Sequence, residues 1–214
     1  MKKIIFIALL LVACNNIEGR RPWPDGKIPF ILSGFTAEEE VEIVKAMITW
    51  ECASDGKIEF FIYGTKETDT KPLFIKWNMD NEVTTGAGYA DNGYNLLGLS
   101  SISQYCILHE LGHVLGLQHE MTRPDRDLYI TINSHVIGND LLLASQYAYV
   151  IPEFYDYKKY PFDYKSIMMY TVAYGAGIID NHGHDLGGIS LSVIDAWKVK
   201  DIYSKQDDGV LSNL

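Results

Sequence analysis

Basic charge, cysteine and long apolar runs are all scarce in this sequence. Its 214 residues include 18 basic and 28 acidic side chains, which gives a formal net charge of −10, and no long cluster of lysine and arginine is present. Nucleic acids and anionic lipid surfaces bind positively charged patches, so this composition excludes them as expected partners. The sequence shows no internal repeat, and its length and 47% hydrophobic content suit one domain.

The longest apolar run lies at the start of the chain and is too short to span a bilayer. It follows two lysines and ends at Cys14 with the sequence Leu-Val-Ala-Cys. A basic start, a short apolar stretch and a small-residue end are typical of a signal peptide, and this ending resembles a bacterial lipoprotein box. We therefore expect residues 1–13 to be a lipoprotein-type signal peptide and residues 14–21 to be a short linker.

These features predict an exported protein that is lipid-anchored at the envelope of a bacterial cell through Cys14. The alternative is an ordinary secretory signal that is cut elsewhere, which would leave the protein secreted. We expect contact with a membrane only through the lipid. If Cys14 is lipidated, the remaining Cys52 and Cys106 either form one disulfide in an oxidising compartment or stay as two buried free thiols.

One stretch carries three histidines, a glutamate and a glycine at the spacing of a zinc site. It reads His-Glu-Leu-Gly-His-Val-Leu-Gly-Leu-Gln-His and runs from His109 to His119. Positions four apart share one face of a helix, so His109 and His113 can both reach one ion. Gly116 can take the left-handed conformation that ends a helix, which brings His119 back toward the same ion. The sequence therefore predicts three histidine ligands for one zinc ion.

Three protein ligands leave one coordination position for water, which is typical of catalytic rather than structural zinc. Zinc lowers the pKa of such a water toward neutrality, and the neighbouring Glu110 can take its proton and later pass it to a leaving amine. We therefore expect a hydrolase that uses metal-activated water, with Glu110 as the general base. The alternative is a helix that merely carries histidines, and the glycine and third histidine at fixed offsets argue against it.

The residues after the third histidine extend the pattern. From His109 to Asp127 the sequence matches, at every fixed position, the signature H-E-x-x-H-x-x-G-x-x-H-E-x-x-R-x-D-R-D of the astacin family of zinc metallopeptidases. The run Ser-Ile-Met-Met-Tyr at residues 166–170 supplies the downstream methionine of the wider metzincin clan. Together with Trp-Pro-Asp-Gly-Lys-Ile-Pro-Phe at residues 23–30, these motifs make the chain resemble an astacin over about residues 22–204.

The resemblance implies an α+β fold of the metzincin, or zincin-like, type. A twisted, mostly parallel sheet with two long helices would form the N-terminal half, and an irregular C-terminal half would be closed by a helix. The catalytic domain would cover residues 22–214, with an upper subdomain over about 22–116 and a lower one over about 117–214. Astacins cleave proteins internally, so the resemblance implies a zinc endopeptidase that hydrolyses peptide bonds, and we expect a monomer with one catalytic zinc ion.

The resemblance also assigns further site residues. Tyr170 matches the astacin tyrosine that binds zinc in the resting enzyme and then swings away, so we expect a fourth ligand and a donor to the oxyanion; the alternative is an ordinary core tyrosine. Met168 would form the floor beneath the metal. The run from Gly86 to Asp91 matches the sheet-edge strand along which astacins bind an extended substrate, and the alternative is a plain glycine-rich turn.

Departures from the family pattern concern activation and specificity. In many astacins, processing creates a new amino terminus that is buried beside the glutamate after the third histidine, here Glu120. In this chain only a short spacer separates Cys14 from the domain, and a lipidated Cys14 held in a membrane cannot enter the protein interior. We expect activity without N-terminal processing, with another donor on Glu120, such as a backbone amide or a water. Many astacins prefer an acidic substrate residue after the cleaved bond, sometimes through a basic residue in the binding pocket. From Ser166 to Trp197 the chain has no lysine or arginine, so we do not expect this preference here.

Two functions of different class stay open. One is an exported zinc endopeptidase, and the other is an inactive zinc-stabilised module of the same fold that binds peptides without cutting them. Glu110 favours the enzyme, because a binding module does not need the base. The charged run at residues 123–127 is interpreted as a lock on the reversing chain, and His182 and His184 as solvated loop residues.

Local patterns predict the scaffold. Thr36 and Glu39 form a capping box for a helix whose apolar stripe contains Val41, Val44 and Ile48. Short β-rich runs follow at residues 58–63, 72–77 and 95–100. A last amphipathic helix covers about residues 192–203, and its apolar side is predicted to contain Val193, Ala196, Trp197, Val199 and Ile202.

Overall fold

The computed structural model describes residues 20–78, 83–84, 86–133, 141–170 and 177–204, so the predicted signal peptide and Cys14 lie outside it. Its α-helices are α1 (Ala37–Ala53), α2 (Gln104–Val114), α3 (Leu141–Gln146) and α4 (Val193–Ser204). Its strands are β1 (Arg20–Arg21), β2 (Lys27–Ser33), β3 (Glu59–Ile62), β4 (Leu73–Trp77), β5 (Val83–Thr84), β6 (Tyr89–Ala90), β7 (Asn95–Leu99), β8 (Ile130–Ile132) and β9 (Ile178–Asp180). Single-turn 3₁₀ helices lie at Pro24–Gly26, Glu120–Thr122, Arg126–Leu128 and Tyr157–Lys159.

Five of the strands form one sheet in the order β3-β2-β4-β7-β5. The first four run parallel, and β5 pairs antiparallel with β7 at one edge. The α+β architecture with a mostly parallel sheet is therefore confirmed. The three predicted β-rich runs correspond to β3, β4 and β7. Strand β2 was not predicted, although it lies inside the sheet; its Pro29 is unusual there, because proline removes a ladder hydrogen bond.

Helix α1 begins as predicted but buries a different face. The Thr36 side chain accepts a hydrogen bond from the Glu39 N–H, and the Glu39 carboxylate accepts one from the Thr36 N–H, which completes the capping box. The predicted apolar stripe is wrong as a core face, because Val41, Val44 and Ile48 are all exposed. The buried face consists of Ile43, Ala46, Met47 and Trp50. Both sets recur at helical spacing, so periodicity alone could not separate them.

Two buried tryptophans hold helix α2 in position. The indole N–H of Trp23 donates to the carbonyl oxygen of Val114 over 2.9 Å, and that of Trp50 on α1 donates to the carbonyl oxygen of Leu108 over 3.0 Å. Both rings are fully buried. A buried indole N–H needs a partner, so each bond satisfies the ring and also fixes α2 against the core.

The C-terminal half has little regular structure, as predicted, and α4 closes it. The predicted apolar side of α4 is partly wrong, since Val193 is 85% exposed and Trp197 is 47% exposed. The charged Asp195 and Lys198 are buried instead, beside Val199. Within the described residues, no helix combines the length and the apolar character that crossing a membrane requires.

Candidate metal centre

The turn after helix α2 is determined by local sequence. Gly116 has a φ of +103°, and the N–H groups of Gly116 and Leu117 donate to the carbonyls of His113 and Gly112, respectively. This pair of hydrogen bonds is the Schellman arrangement, which favours glycine at the left-handed position. It reverses the chain as predicted and returns His119 to the side of the helix.

The three histidines meet at one buried point. The Nε2 atom of His119 lies 3.1 Å from Nε2 of His109 and 3.1 Å from Nε2 of His113. The possible ligand atoms of all three lie within 4.8 Å of one another. In the part of the chain that the structure describes, this is the only such group of three or more histidine, cysteine, aspartate or glutamate residues.

Backbone carbonyls determine which ring nitrogen carries the proton. Nδ1 of His109 lies 2.7 Å from the carbonyl oxygen of Ile167, and Nδ1 of His113 lies 2.9 Å from that of Leu117. A carbonyl only accepts, so both Nδ1 atoms donate and both Nε2 atoms of the neutral rings present a lone pair. Burial lowers the pKa of His109 to about 4, and burial together with His109 lowers the pKa of His113 to about 3. Burial also holds the pKa of His119 well below its usual range.

This arrangement fits a zinc ion. A neutral His119 ring has one N–H to offer, which cannot satisfy the Nε2 lone pairs of both His109 and His113. A cation that accepts all three lone pairs does satisfy them. Three nitrogens about 2.0–2.1 Å from a tetrahedral zinc lie about 3.3 Å apart, close to the 3.1 Å spacings observed. Carbonyl acceptors on the other ring nitrogen are also usual for zinc-binding histidines.

Met168 packs directly under the helix that carries the histidines. A Cβ atom at Gly112 would lie 2.5 Å from the sulfur of Met168 and 3.5 Å from the ring of Trp50. Only glycine therefore lets the methionine approach the helix this closely. The contact agrees with the predicted place of Met168 as an apolar floor.

The two predicted catalytic residues are Glu110 and Tyr170. Glu110 is buried and follows His109 directly in α2. The ring centroid of Tyr170 lies 4.9 Å from that of His119 and 6.2 Å from that of His109. The Tyr170 hydroxyl donates a long hydrogen bond of 3.4 Å to the side chain of Gln146, so its part as a fourth metal ligand stays a prediction.

Known proteins with similar sequences point to the same chemistry. The model of the peptidase family Astacin matches residues 15–181. The chain belongs to the astacin family. The zinc metalloproteinase nas-39 of Caenorhabditis elegans is 33% identical over 163 residues, which cover 71% of this chain and 16% of that protein. The astacin-like metalloprotease toxin 2 of Loxosceles intermedia is 34% identical over 172 residues, which cover 77% of this chain and 60% of that protein. This chain thus spans less than two thirds of the length of either relative.

Solved structures share the fold. High choriolytic enzyme 1, a hatching enzyme zinc-protease from Oryzias latipes (medaka fish), matches with a TM-score of 0.69 and 25% identity over 87% of this chain and 94% of that chain. A structure of myroilysin matches with a TM-score of 0.58 and 19% identity, which shows the fold alone. The family uses a catalytic zinc ion, and the three-histidine group is where this astacin can hold it.

The glutamate after the third histidine has donors from within the chain. Oε1 of Glu120 accepts hydrogen bonds of 2.9 Å from the Arg123 guanidinium and from the Asp163 N–H, and Oε2 accepts one of 2.5 Å from the Lys198 ammonium. The predicted backbone amide is therefore present, but the two charged donors were not predicted. Burial lowers the pKa of Lys198, but Glu120, Tyr155 and Asp195 together outweigh this effect, and the pKa of Lys198 is raised.

A second buried carboxylate supports the first histidine. Oδ2 of Asp195 accepts a hydrogen bond of 2.8 Å from the Ile167 N–H, and the carbonyl of Ile167 in turn holds Nδ1 of His109. Burial of Asp195 and Lys198 was not predicted, because the apolar side of α4 was assigned partly to Val193 and Trp197, which are exposed. The spacing of three between Asp195 and Lys198, with Val199 on the same side of the helix, was the signal that could have revealed them.

The run from Gly86 to Asp91 lies outside the five-stranded sheet. Its strand β6 pairs antiparallel with β1, and the Arg20 guanidinium donates to the carbonyl of Gly88 over 2.7 Å. The antiparallel edge of the five-stranded sheet is β5, which comes just before this run. Strand β6 is paired on one side with an N-terminal segment of the same chain, and a substrate-binding edge near this run stays a prediction.

The remaining candidates take no part in the cluster. His182 and His184 are exposed, and the ring of His184 stacks on that of Tyr164 with 4.0 Å between centroids. This agrees with their interpretation as solvated loop residues. Cys52 and Cys106 do not form a disulfide with each other. The alternative of two buried free thiols holds only in part, because Cys52 is exposed and Cys106 is half-buried.

Proposed function

We propose that this astacin is a zinc-dependent endopeptidase that hydrolyses peptide bonds in proteins, with His109, His113 and His119 as the ligands of one zinc ion. The observation that carries the proposal is the buried cluster of three imidazoles, in which Nε2 of His119 lies 3.1 Å from Nε2 of His109 and 3.1 Å from Nε2 of His113. Relatives whose names describe them as metalloproteinases or zinc proteases support it.

Glu110 is proposed as the general base. Zinc, when bound, makes water more acidic and polarises the scissile carbonyl. The Glu110 carboxylate takes the proton of the attacking water and then delivers it to the nitrogen of the leaving amine. Its burial beside His109 keeps bulk water from competing for that proton. An inactive peptide-binding module remains the second candidate, and the presence of Glu110 argues against it.

Tyr170 is proposed as a donor to the oxyanion that develops on the substrate. Its ring packs against His119, which places it at the rim of the cluster. A hydrogen bond of 3.4 Å is weak, so the hydroxyl can leave Gln146 for a better acceptor when substrate binds. Exchange of this hydrogen-bond partner would also allow the hydroxyl to bind the metal in the resting enzyme.

Protein or peptide substrates are proposed to bind in an extended conformation along β5. Among the described strands, β5 has one sheet neighbour, β7, so its other side can accept a further strand. Backbone pairing of this kind holds a peptide of almost any sequence, while side-chain pockets supply specificity. A net charge of −10 gives no support to a nucleic acid as ligand.

Digestion of an unfolded protein by the purified chain tests the proposal. We expect internal cleavage that stops on addition of a chelator and returns when zinc is restored. Cleavage that continues unchanged in the zinc-free protein would contradict it. Binding of peptides with no cleavage, at full zinc content, would favour the inactive module.

We also propose that the leader at residues 1–13 directs export and that Cys14 carries a lipid anchor. A short linker would extend to residue 21. The catalytic domain would begin at residue 22, divide into two subdomains near residue 116 and be monomeric. The support is the sequence pattern alone. A bacterial host that expresses the chain with labelled palmitate should label it, and Cys14→Ser should remove the label. A labelled Cys14→Ser protein would contradict anchoring at this residue.

A further inference from the structure

Glu120 is the meeting point of three segments in the buried interior. It follows His119 directly, and its side chain is fully buried. Its carboxylate joins Arg123 from its own turn, the Asp163 N–H from the loop ahead of Met168, and Lys198 from helix α4. Its own N–H donates to the carbonyl of Met168 over 3.0 Å.

Glu120 has two cationic partners, Arg123 and Lys198, in a region that also buries the carboxylates of Asp163 and Asp195. The Arg123 guanidinium bonds to Glu120 and also to Asp125, both at 2.9 Å, so one positive charge faces two negative ones. Lys198, 1% exposed, supplies the second positive charge. Its ammonium also lies 5.7 Å from the centroid of the Tyr155 ring. An unpaired ion at this depth is strongly unfavourable, so each partner fixes the position of the other.

Helix α4 supplies none of the three histidines but reaches the residues that position two of them. Through Lys198 it holds Glu120, whose backbone continues from His119. Through Asp195 it holds the peptide of Ile167, whose carbonyl orients His109. The geometry of the cluster therefore depends on charges that lie on a helix far along the chain.

We propose that Lys198 is a positioning residue whose ammonium is the counter-charge that fixes Glu120, and with it the backbone of the third histidine, in the metal-binding arrangement. This inference rests on the proposed function only in that the cluster binds zinc. Among the described residues, the donors to Glu120 come from residues 123–198, while the first described residues, in β1, pair with β6. These donors satisfy the Glu120 carboxylate without a terminal amine.

Zinc affinity is the direct test, measured on the full chain by competition with a chelator of known affinity. Lys198→Met removes the charge and keeps the length of the side chain, and we expect it to weaken zinc binding by about 10–100-fold, the usual cost of losing an outer partner of a metal site. Lys200→Met is the matched control on the same helix, because Lys200 pairs with the exposed Asp55. We expect no change in zinc affinity for the control.

A double variant separates charge from packing and covers the case in which Lys198→Met does not fold. In Glu120→Gln with Lys198→Met neither side chain is charged, and the Gln carbonyl can still accept from Arg123 and Asp163. We expect this protein to fold and to recover most of the lost zinc affinity. Wild-type affinity in Lys198→Met, or a double variant as weak as Lys198→Met or unable to fold, would overturn the proposal.

A tag placed ahead of Asn15 tests the independence from a terminal amine. We expect the tagged wild-type chain to bind zinc as tightly as the untagged one. A tagged chain that gained affinity only after trimming at Arg20 or Arg21 would overturn that part of the proposal. These readouts are independent of turnover: a wild-type chain that binds zinc but cleaves nothing would contradict the proposed function and leave the role of Lys198 intact.

Discussion

Residues 20–116 and residues 117–204 bury very different side chains. In the first region, the described core outside the metal cluster and Glu110 is apolar apart from a few uncharged polar groups. In the second, six charged residues outside the cluster are buried: Glu120, Arg123, Arg126, Asp163, Asp195 and Lys198. The first region forms the sheet with α1 and α2, and the second wraps beneath the histidines with little regular structure. The metal centre lies where the apolar region and the ionic region meet.

The difference explains how the regular first region and the irregular second region each adopt one specific structure. Apolar burial is non-directional, so the first region needs the regular spacing of helices and strands to form one packing arrangement. Charge pairs are directional and costly to break, so loops of the second region can be fixed by a few contacts. Arg123 is an example: its guanidinium pairs with the carboxylates of Glu120 and Asp125. The charged run at residues 123–127 does lock the reversing chain, in agreement with its interpretation from the sequence.

Loss of Arg123 should have the largest effect on stability. Arg123→Met leaves the buried carboxylate of Glu120 and that of Asp125 without their shared partner, and we expect the free energy of unfolding in urea to fall by about 3–5 kcal/mol. The control is Arg21→Met, which removes an exposed pair with Asp91 and should leave stability unchanged. Similar effects of the two substitutions would show that the second region is not held by its buried charges.

Two isoleucines of α1 provide the matching test of the apolar region. Ile43 is fully buried and Ile48 is 50% exposed. We expect Ile43→Ala to lower the free energy of unfolding by about 2–5 kcal/mol, because it opens a cavity in the core. Ile48→Ala should change it by less than about 0.5 kcal/mol, as surface substitutions do. Urea denaturation measures both changes. A larger loss for Ile48→Ala than for Ile43→Ala would indicate that the buried face of α1 is the one predicted from the sequence.

Tyr170 tests whether the second region contributes to the reaction as well as to stability. We expect Tyr170→Phe to lower kcat by about 10–10³-fold with zinc content intact, because the hydroxyl acts only as charge develops in the transition state. Tyr164→Phe is the control, since Tyr164 stacks on His184 in the same region and should keep its rate. An unchanged kcat in Tyr170→Phe would show that Tyr170 contributes packing only and that its hydroxyl has no part in the reaction.

The sequence predicted the first region and the metal cluster well, because their signals are local. The spacing of His109, His113 and His119 and the glycine turn between them place the ligands almost without tertiary information. The positions of α1, β3, β4 and β7 also followed from period and capping, whereas β2 was not predicted. The buried face of α1 did not follow from these signals, since two apolar stripes compete on it and only the position of the sheet decides which is buried.

The support of the cluster could not be predicted in the same way. Lys198 and Glu120 lie 78 residues apart, and nothing in the spacing of either residue indicates the other. A charged residue is ordinarily assigned to the surface, and only its partner makes burial favourable. The pairing of β1 with β6 was missed for a similar reason, because backbone hydrogen bonds between distant segments leave little trace in side-chain patterns.

Glu110 provides the most direct test of the proposed activity. Glu110→Gln keeps the shape of the side chain but cannot accept the proton, so we expect zinc to bind at one ion per chain while turnover of an unfolded protein falls by at least about 10²-fold. Zinc content by elemental analysis and cleavage rate should be measured on the same sample. A variant with full zinc and wild-type turnover would contradict the assignment of Glu110 as the base.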